Sequence, residues 1–168
     1  MAKTSGGNRT LTKGSREYRK RQIEVVTMLA SGKYSSVTMS EKGGGFVAIE
    51  KSSKRHKPEE MEAATILANK GYKVTLKDEA GQVKTPDGYL FTASFEQRTP
   101  TRASVKKALG HASEKKADIA LIYDKFHIYH REDVDRGIKE YELKNRYRFQ
   151  RIMVITSDGK IHRHKHNR

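Results

Sequence analysis

The sequence of 168 residues contains no cysteine. That excludes disulfides and thiolate zinc sites, and it fits a reducing compartment. No apolar run is long enough to span a membrane, and no strongly basic amphipathic helix with large apolar residues stands out. The opening stretch, MAKTSGGNRT, lacks the apolar segment of a signal peptide, so a cytoplasmic location is expected. Acidic residues are in short supply, with 20 Asp and Glu against 35 Lys and Arg. Hydrophobic residues make up 35 % of the chain, enough for one core of ordinary size and little more.

Positive charge is what the chain has in excess. A formal charge of +15 and a pI near 10.0 favour a polyanionic partner, because binding releases the counterions condensed on phosphate. Nucleic acid is therefore the expected partner, and a membrane is not. Charge alone says nothing about catalysis.

Residues 1–15 are mostly Gly, Ser, Thr and basic residues, which predicts a disordered arm. SREYRKRQIEVVTMLA follows with a Ser N-cap and Gly32 as a stop, giving a helix. Two short β-like runs around Gly43-Gly44-Gly45 read as a hairpin with a flexible turn. Pro58 opens a second helix that stops at Gly71, and YKVTL continues as a strand. A turn at DEAG leads to a hairpin over residues 83–98, Ser104 caps a third helix, and DIALIY is a buried strand. REDVDRGIKEYELKN reads as a fourth helix despite Gly137, and the chain closes with a hairpin turned at Asp158-Gly159. This alternation predicts an α/β or α+β fold with a central mixed β-sheet flanked by helices. The expected organisation is an arm and helix over 1–33, then an α/β domain over 34–168 with a basic C-terminal tail.

Three acids draw attention within that plan. At about 100° per residue, Glu60 falls within about 40° of Ala64 and Leu67, in the middle of the apolar face of the second helix. A carboxylate there needs a cation, hydrogen-bond donors or a metal, or it complements the helix dipole at the rim of the core. Asp87 lies nine residues before Glu96, and Arg98 follows Glu96 on the same strand face. Converging carboxylates are relieved by a divalent cation, which can activate water and offset charge on a phosphodiester. An exposed Glu–Arg pair would instead be worth under about 1 kcal/mol.

The order of these pieces carries a resemblance. EMEAATILANKGYKV, then TPD, then FEQR, then a helix and an apolar strand resemble the PD-(D/E)xK nuclease core. The similarity is to the C-terminal nuclease domains of contact-dependent growth-inhibition (CdiA-type) toxins and to related domains in phage head-morphogenesis proteins, over roughly residues 45–165. The resemblance implies Glu60, Asp87 and Glu96 as ligands of a divalent metal, with Mg²⁺ first and Mn²⁺ or Zn²⁺ as alternatives. It also implies a bacterial or phage setting, and a cognate immunity protein or virion components as protein partners. Arg98 stands where the family has lysine, and arginine cannot give up its proton. A lysine from the following helix, Lys115 or Lys116, could take that role, and we place Lys116 with Arg98 among the candidate catalytic residues.

Charge away from the acids is gathered in Arg16, Arg19, Lys20 and Arg21, and in Arg146, Arg148 and Arg151. These are the candidate nucleic-acid contacts. Tyr18, Tyr147 and Phe149 lie among them and could stack on bases or complete the core. His162, His164 and His166 alternate, as metal ligands on a strand or as a phosphate-binding tail, and His127 or His130 could serve as a general acid. Two functions are expected: a metal-dependent nuclease acting on tRNA-like RNA or on DNA, or a non-catalytic nucleic-acid-binding or virion-associated protein that keeps the fold.

Overall fold

The computed structural model describes residues 9–52, 55–78, 85–164 and 166. The chain forms two compact units, Met1–Val83 with Asp87–Thr92 and Lys84–Pro86 with Ala93–Arg168. Each carries four strands in mixed pairing and two helices, so the class is α+β, as expected.

In the first unit, helix α1 (Arg16–Ala30) starts where the Ser15 hydroxyl accepts the Tyr18 N–H, satisfying one orphan donor of the first turn. It buries Tyr18 and Val25, and Val25 packs with Val37, Phe46 and Ala48. Strand β1 (Tyr34–Met39) pairs antiparallel with β2 (Phe46–Glu50). β2 pairs parallel with β3 (Lys73–Leu76), and β3 pairs antiparallel with β4 (Gly88–Leu90). A parallel pair needs a crossover, and α2 (Pro58–Asn69) supplies it. Its buried residues are Ala63, Ala64, Leu67 and Ala68. The three alanines bring the helix backbone close to β2 and β3, while Leu67, fully buried, contributes roughly 1.5–3 kcal/mol of apolar burial. Gly71, at φ +90°, ends the helix, and the Tyr72 N–H turns back to the Leu67 carbonyl.

The glycine triplet does more than turn the hairpin. A Cβ on Gly43 would lie 2.0 Å from the Asn69 carbonyl oxygen, and one on Gly45 would lie 2.4 Å from the carbonyls of Ala68 and Tyr72. The turn is pressed against the C-terminal end of α2, and the Gly45 N–H donates to the Ala68 carbonyl. The expected flexibility is replaced by close backbone contact. From Arg9 onward the arm is ordered too. Leu11 N–H donates to the Gly43 carbonyl, and the Arg9 guanidinium lies over the rings of Tyr72 and Phe91. Residues 1–8 of the expected disordered arm lie outside the described residues.

In the second unit, β5 (Ala93–Arg98), β6 (Ile119–Tyr123) and β7 (Arg151–Ile155) run parallel, and β8 (Ile161–His164) pairs antiparallel with β7. Helices α3 (Val105–Glu114) and α4 (Arg131–Lys144) form the crossovers. Val105, Leu109 and Ala112 of α3 and Ile138 and Tyr141 of α4 meet Ala120, Ile122, Ile152 and Val154 in one cluster. Gly137 explains itself here, because a Cβ would sit 2.5 Å from the Val105 Cβ, and its absence lets α3 and α4 approach. Phe149 belongs to this cluster, Tyr18 is buried in the first unit, and the Tyr147 hydroxyl donates to the Ala117 carbonyl. All three aromatics are thus committed to the interior or to backbone.

His164 and His166 pack against α4 and Phe149, while His162 is exposed. His164 faces Asp135 at 3.5 Å, and the His166 ring stacks on Phe149 at 5.5 Å and 15°. Neither His166 ring nitrogen has a hydrogen-bond partner among the described residues. Burial pushes both imidazoles below the ordinary histidine value, against the opposing pull of Asp135 on His164 and of Glu142 on His166. The unfolded chain therefore takes up protons more readily than the folded one just below about pH 6.5. Stability should be intact above that pH and decline as pH falls through it, until the lowered folded-state values are passed. Melting temperature measured from pH 7.5 to 5 should show this decline, and His166→Phe should flatten it. An unchanged slope in that variant would remove His166 from the account.

Candidate functional site

Glu60 sits in the first turn of α2, where Pro58 fixes the helical φ and leaves no donor to satisfy. Its Oε2 accepts the Lys57 N–H at 3.2 Å and lies 3.0 Å from His56 Nδ1. The carboxylate thus serves as a helix cap and holds an imidazole. The His56 side chain is only 8 % exposed, and its Nε2 has no hydrogen-bond partner among the described residues. Spacing could not reveal this histidine, since it precedes the helix and lies off its periodic face.

Asp87 is buried just ahead of β4, and its carbonyl accepts the Lys77 N–H. Nearby in the same unit, at the C-terminal ends of parallel β2 and β3, the Glu50 carboxylate accepts the Asp78 N–H and the Asp78 carboxylate accepts the Ser52 hydroxyl. Neither acid belongs to the resemblance.

Glu96 lies in the middle of β5, 3 % exposed. In register it stands beside Ala120, and Arg98 beside Ile122. Ala120 and Ile122 belong to the helix-covered face, and neighbouring strand residues in register share a face. Glu96 and Arg98 therefore point towards the α3 side. Lys115, at the C-cap of α3, meets Glu96 there, its Nζ 3.0 Å from Glu96 Oε1. Lys116 is exposed, with φ +51°. The Arg98 Nε is enclosed without a hydrogen-bond partner among the described residues. Ser94 and Asp118 pin the starts of β5 and β6 by reciprocal hydrogen bonds of 3.0 Å.

The basic residues divide by task. Arg16, Arg19, Lys20 and Arg146 are exposed. Arg21 turns inward and donates to the carbonyls of Gly44 and Gly71, clamping the glycine turn. Arg148 donates to the carbonyls of Asn145 and Glu142 at the end of α4, a cation placed at the negative end of the helix dipole. Arg151 opens β7, half-buried. His127 and His130 stand exposed after β6, their rings 6.3 Å apart.

Oxygen donors such as Glu60, Asp87 and Glu96 suit a hard divalent cation in their chemistry. Among the described residues, no group of three or more His, Asp or Glu side chains is gathered as a metal site. No described helix is long and apolar enough to cross a membrane.

No family model matches the chain, and no curated protein matches it significantly. Among solved structures, the fold is similar to a chain of the CdiA-CT/CdiI toxin and immunity complex from Burkholderia pseudomallei, with a TM-score of 0.54 and 20 % identity over 70 % of this chain and 98 % of that one. At that identity the likeness is one of fold.

Proposed function

We propose that the chain is a metal-dependent nuclease acting on tRNA-like RNA or on DNA, in a toxin or phage setting. The observation that carries the reading is the Glu96–Lys115 pair. A nearly inaccessible carboxylate sits in the strand after the Asp87 segment, with an ammonium 3.0 Å away. In this reading Lys115 takes the part that Arg98 cannot, because lysine can release a proton and arginine does not. Lys115, once its ammonium has given up a proton, orients the attacking water and takes a proton from it, and Arg98 clamps the phosphate through its fixed fork of donors. On the resemblance, Glu60, Asp87 and Glu96 would each be a ligand of Mg²⁺, with Mn²⁺ or Zn²⁺ as alternatives. Bound there, the cation would acidify a water and offset charge on the phosphodiester. His56 keeps Glu60 oriented, and Lys116 stands exposed after Lys115. Arg16, Arg19, Lys20 and Arg146 would track the phosphate backbone, while Arg21, Arg148 and Arg151 shape the surface that presents them. The similarity to a toxin–immunity complex supports a cognate immunity protein as a partner; virion components are the counterpart for a phage setting.

The test offers the full chain total tRNA, single-stranded DNA and duplex DNA, with Mg²⁺ or Mn²⁺ and with chelator. Cleavage should require the metal, and Arg98→Lys should lower it, because lysine cannot reproduce the two-pronged contact with the phosphate. Cleavage persisting in chelator would remove the metal mechanism.

The fixed charge of Arg98 favours a second reading, a nucleic-acid-binding protein without chemistry. Folded wild type that cuts nothing would establish it. Either reading expects binding to depend on salt. Four exposed phosphate contacts give a loss of affinity on the order of 100-fold between 50 and 200 mM salt. Affinity unchanged over that range would defeat the electrostatic account.

A further inference from the structure

Helix α1 turns Tyr18 and Val25 inward and leaves the face flanking them exposed. Along that face lie Arg16, Arg19, Ile23, Val26 and Ala30, all exposed. They are separated by alternating steps of three and four residues, the spacing of a coiled-coil seam. Ile23 is 67 % exposed, Val26 64 % and, beside the seam, Leu29 49 %. Isoleucine and valine are poorer helix formers than alanine, lysine or glutamine, so they do not serve the helix itself. They bury little within the chain, so the core does not account for them either. Adjacent exposed aliphatics of this kind mark a contact surface.

We propose that this seam docks an α-helix of an acidic partner protein. Ile23, Val26 and Ala30 take the partner's aliphatic side chains, and Arg16 and Arg19 take its carboxylates in place of nucleic-acid phosphate. The spacing selects a helix, because only a second helix matches steps of three and four over the helix's length of about 22 Å. Aliphatic side chains offer nucleic-acid bases no ring to stack on, which selects protein. The charge selects an acidic one. A second copy of this chain brings no carboxylate on its own seam to face Arg16 or Arg19, and it carries the same +15, so the two copies repel. The inference does not rest on the nuclease reading.

The experiment titrates the full chain with three labelled 21-residue synthetic peptides: an acidic heptad helix with Leu and Ile at the seam, a scramble of it, and a version with every Glu changed to Lys. The acidic heptad peptide should bind at least about tenfold more tightly than either control. Ile23→Glu with Val26→Glu should weaken it by at least about tenfold, the equivalent of one lost aliphatic contact. Both positions face outward, so the melting temperature of the double variant should match wild type, and Arg16→Ala with Arg19→Ala should weaken the same peptide without touching the aliphatic contacts. Equal binding of the scramble, or undiminished binding by the glutamate variant, would overturn the proposal. So would the finding that the variant instead abolishes a concentration-dependent dimer, or binding to phosphatidylcholine–phosphatidylglycerol vesicles.

Discussion

Glu96→Gln is expected to lower metal-dependent cleavage by more than about 100-fold, since even an outer-shell partner of a metal site is worth 10–100-fold. The folded state should survive the change. Glutamine keeps the volume, and the Lys115 side chain, 25 % exposed, retains a path to water. Lys115→Met tests the opposite half. It leaves a carboxylate 3 % exposed without the ammonium beside it. Stripping one partner from a buried pair costs about 3–5 kcal/mol, an upper bound here because Lys115 is partly solvated. Lys115→Met should therefore destabilise more than Glu96→Gln, and should also abolish cleavage. Combining the two should recover most of the lost stability and none of the activity, a coupling that chemical denaturation reads directly. If Glu96→Gln cuts as well as wild type, the pair is structural only. If the stability losses simply add, the two side chains are not coupled.

Gly43→Ala should be among the most destabilising substitutions in the first unit. The added Cβ would stand 2.0 Å from the Asn69 oxygen and 2.4 Å from its carbonyl carbon, and no side-chain rotation moves a Cβ away from backbone atoms. The glycine turn or the end of α2 must move, which disturbs the Leu11–Gly43 and Gly45–Ala68 hydrogen bonds and the Arg21 clamp on Gly44 and Gly71. Overpacking costs roughly 1–3 kcal/mol, and each lost hydrogen bond adds about 0.5–1.5 kcal/mol. A total of about 3 kcal/mol or more is a large share of ordinary domain stability, equivalent to a fall of roughly 6–12 °C in melting temperature. Gly159→Ala is the contrast, because its Cβ meets nothing within 4 Å and only its φ of +82° is strained. It should cost about 1 kcal/mol. Equal losses at the two positions would show that backbone conformation, and not close approach, sets the requirement for glycine.

What the sequence made visible was local. Pro58 and Gly71 bracket α2, Ser15 and Ser104 cap α1 and α3, and Asp158-Gly159 turns the last hairpin, because caps and turns act within a few residues. The α+β class followed from their alternation. What stayed hidden depended on where distant residues meet. A glycine triplet reads the same whether it bends freely or lies against a helix end. Arg21 reads as one more basic residue, although it donates to backbone 23 and 50 residues away. That Lys115 reaches Glu96 depended on the end of α3, where the left-handed Lys116 breaks the helical count. Glu60 was legible as an acid on an inward face, and its partner His56 was not, because the segment before a helix has no period to read.

The most direct measurement is single-turnover cleavage of labelled total tRNA by the full chain as Mg²⁺ is raised from zero, alongside folded Asp87→Asn. The nuclease account predicts cleavage that rises with Mg²⁺ to a plateau in wild type and is lost by more than about 100-fold in Asp87→Asn at every Mg²⁺ concentration. Cleavage by wild type that ignores Mg²⁺, or equal cleavage by the two proteins, would contradict it.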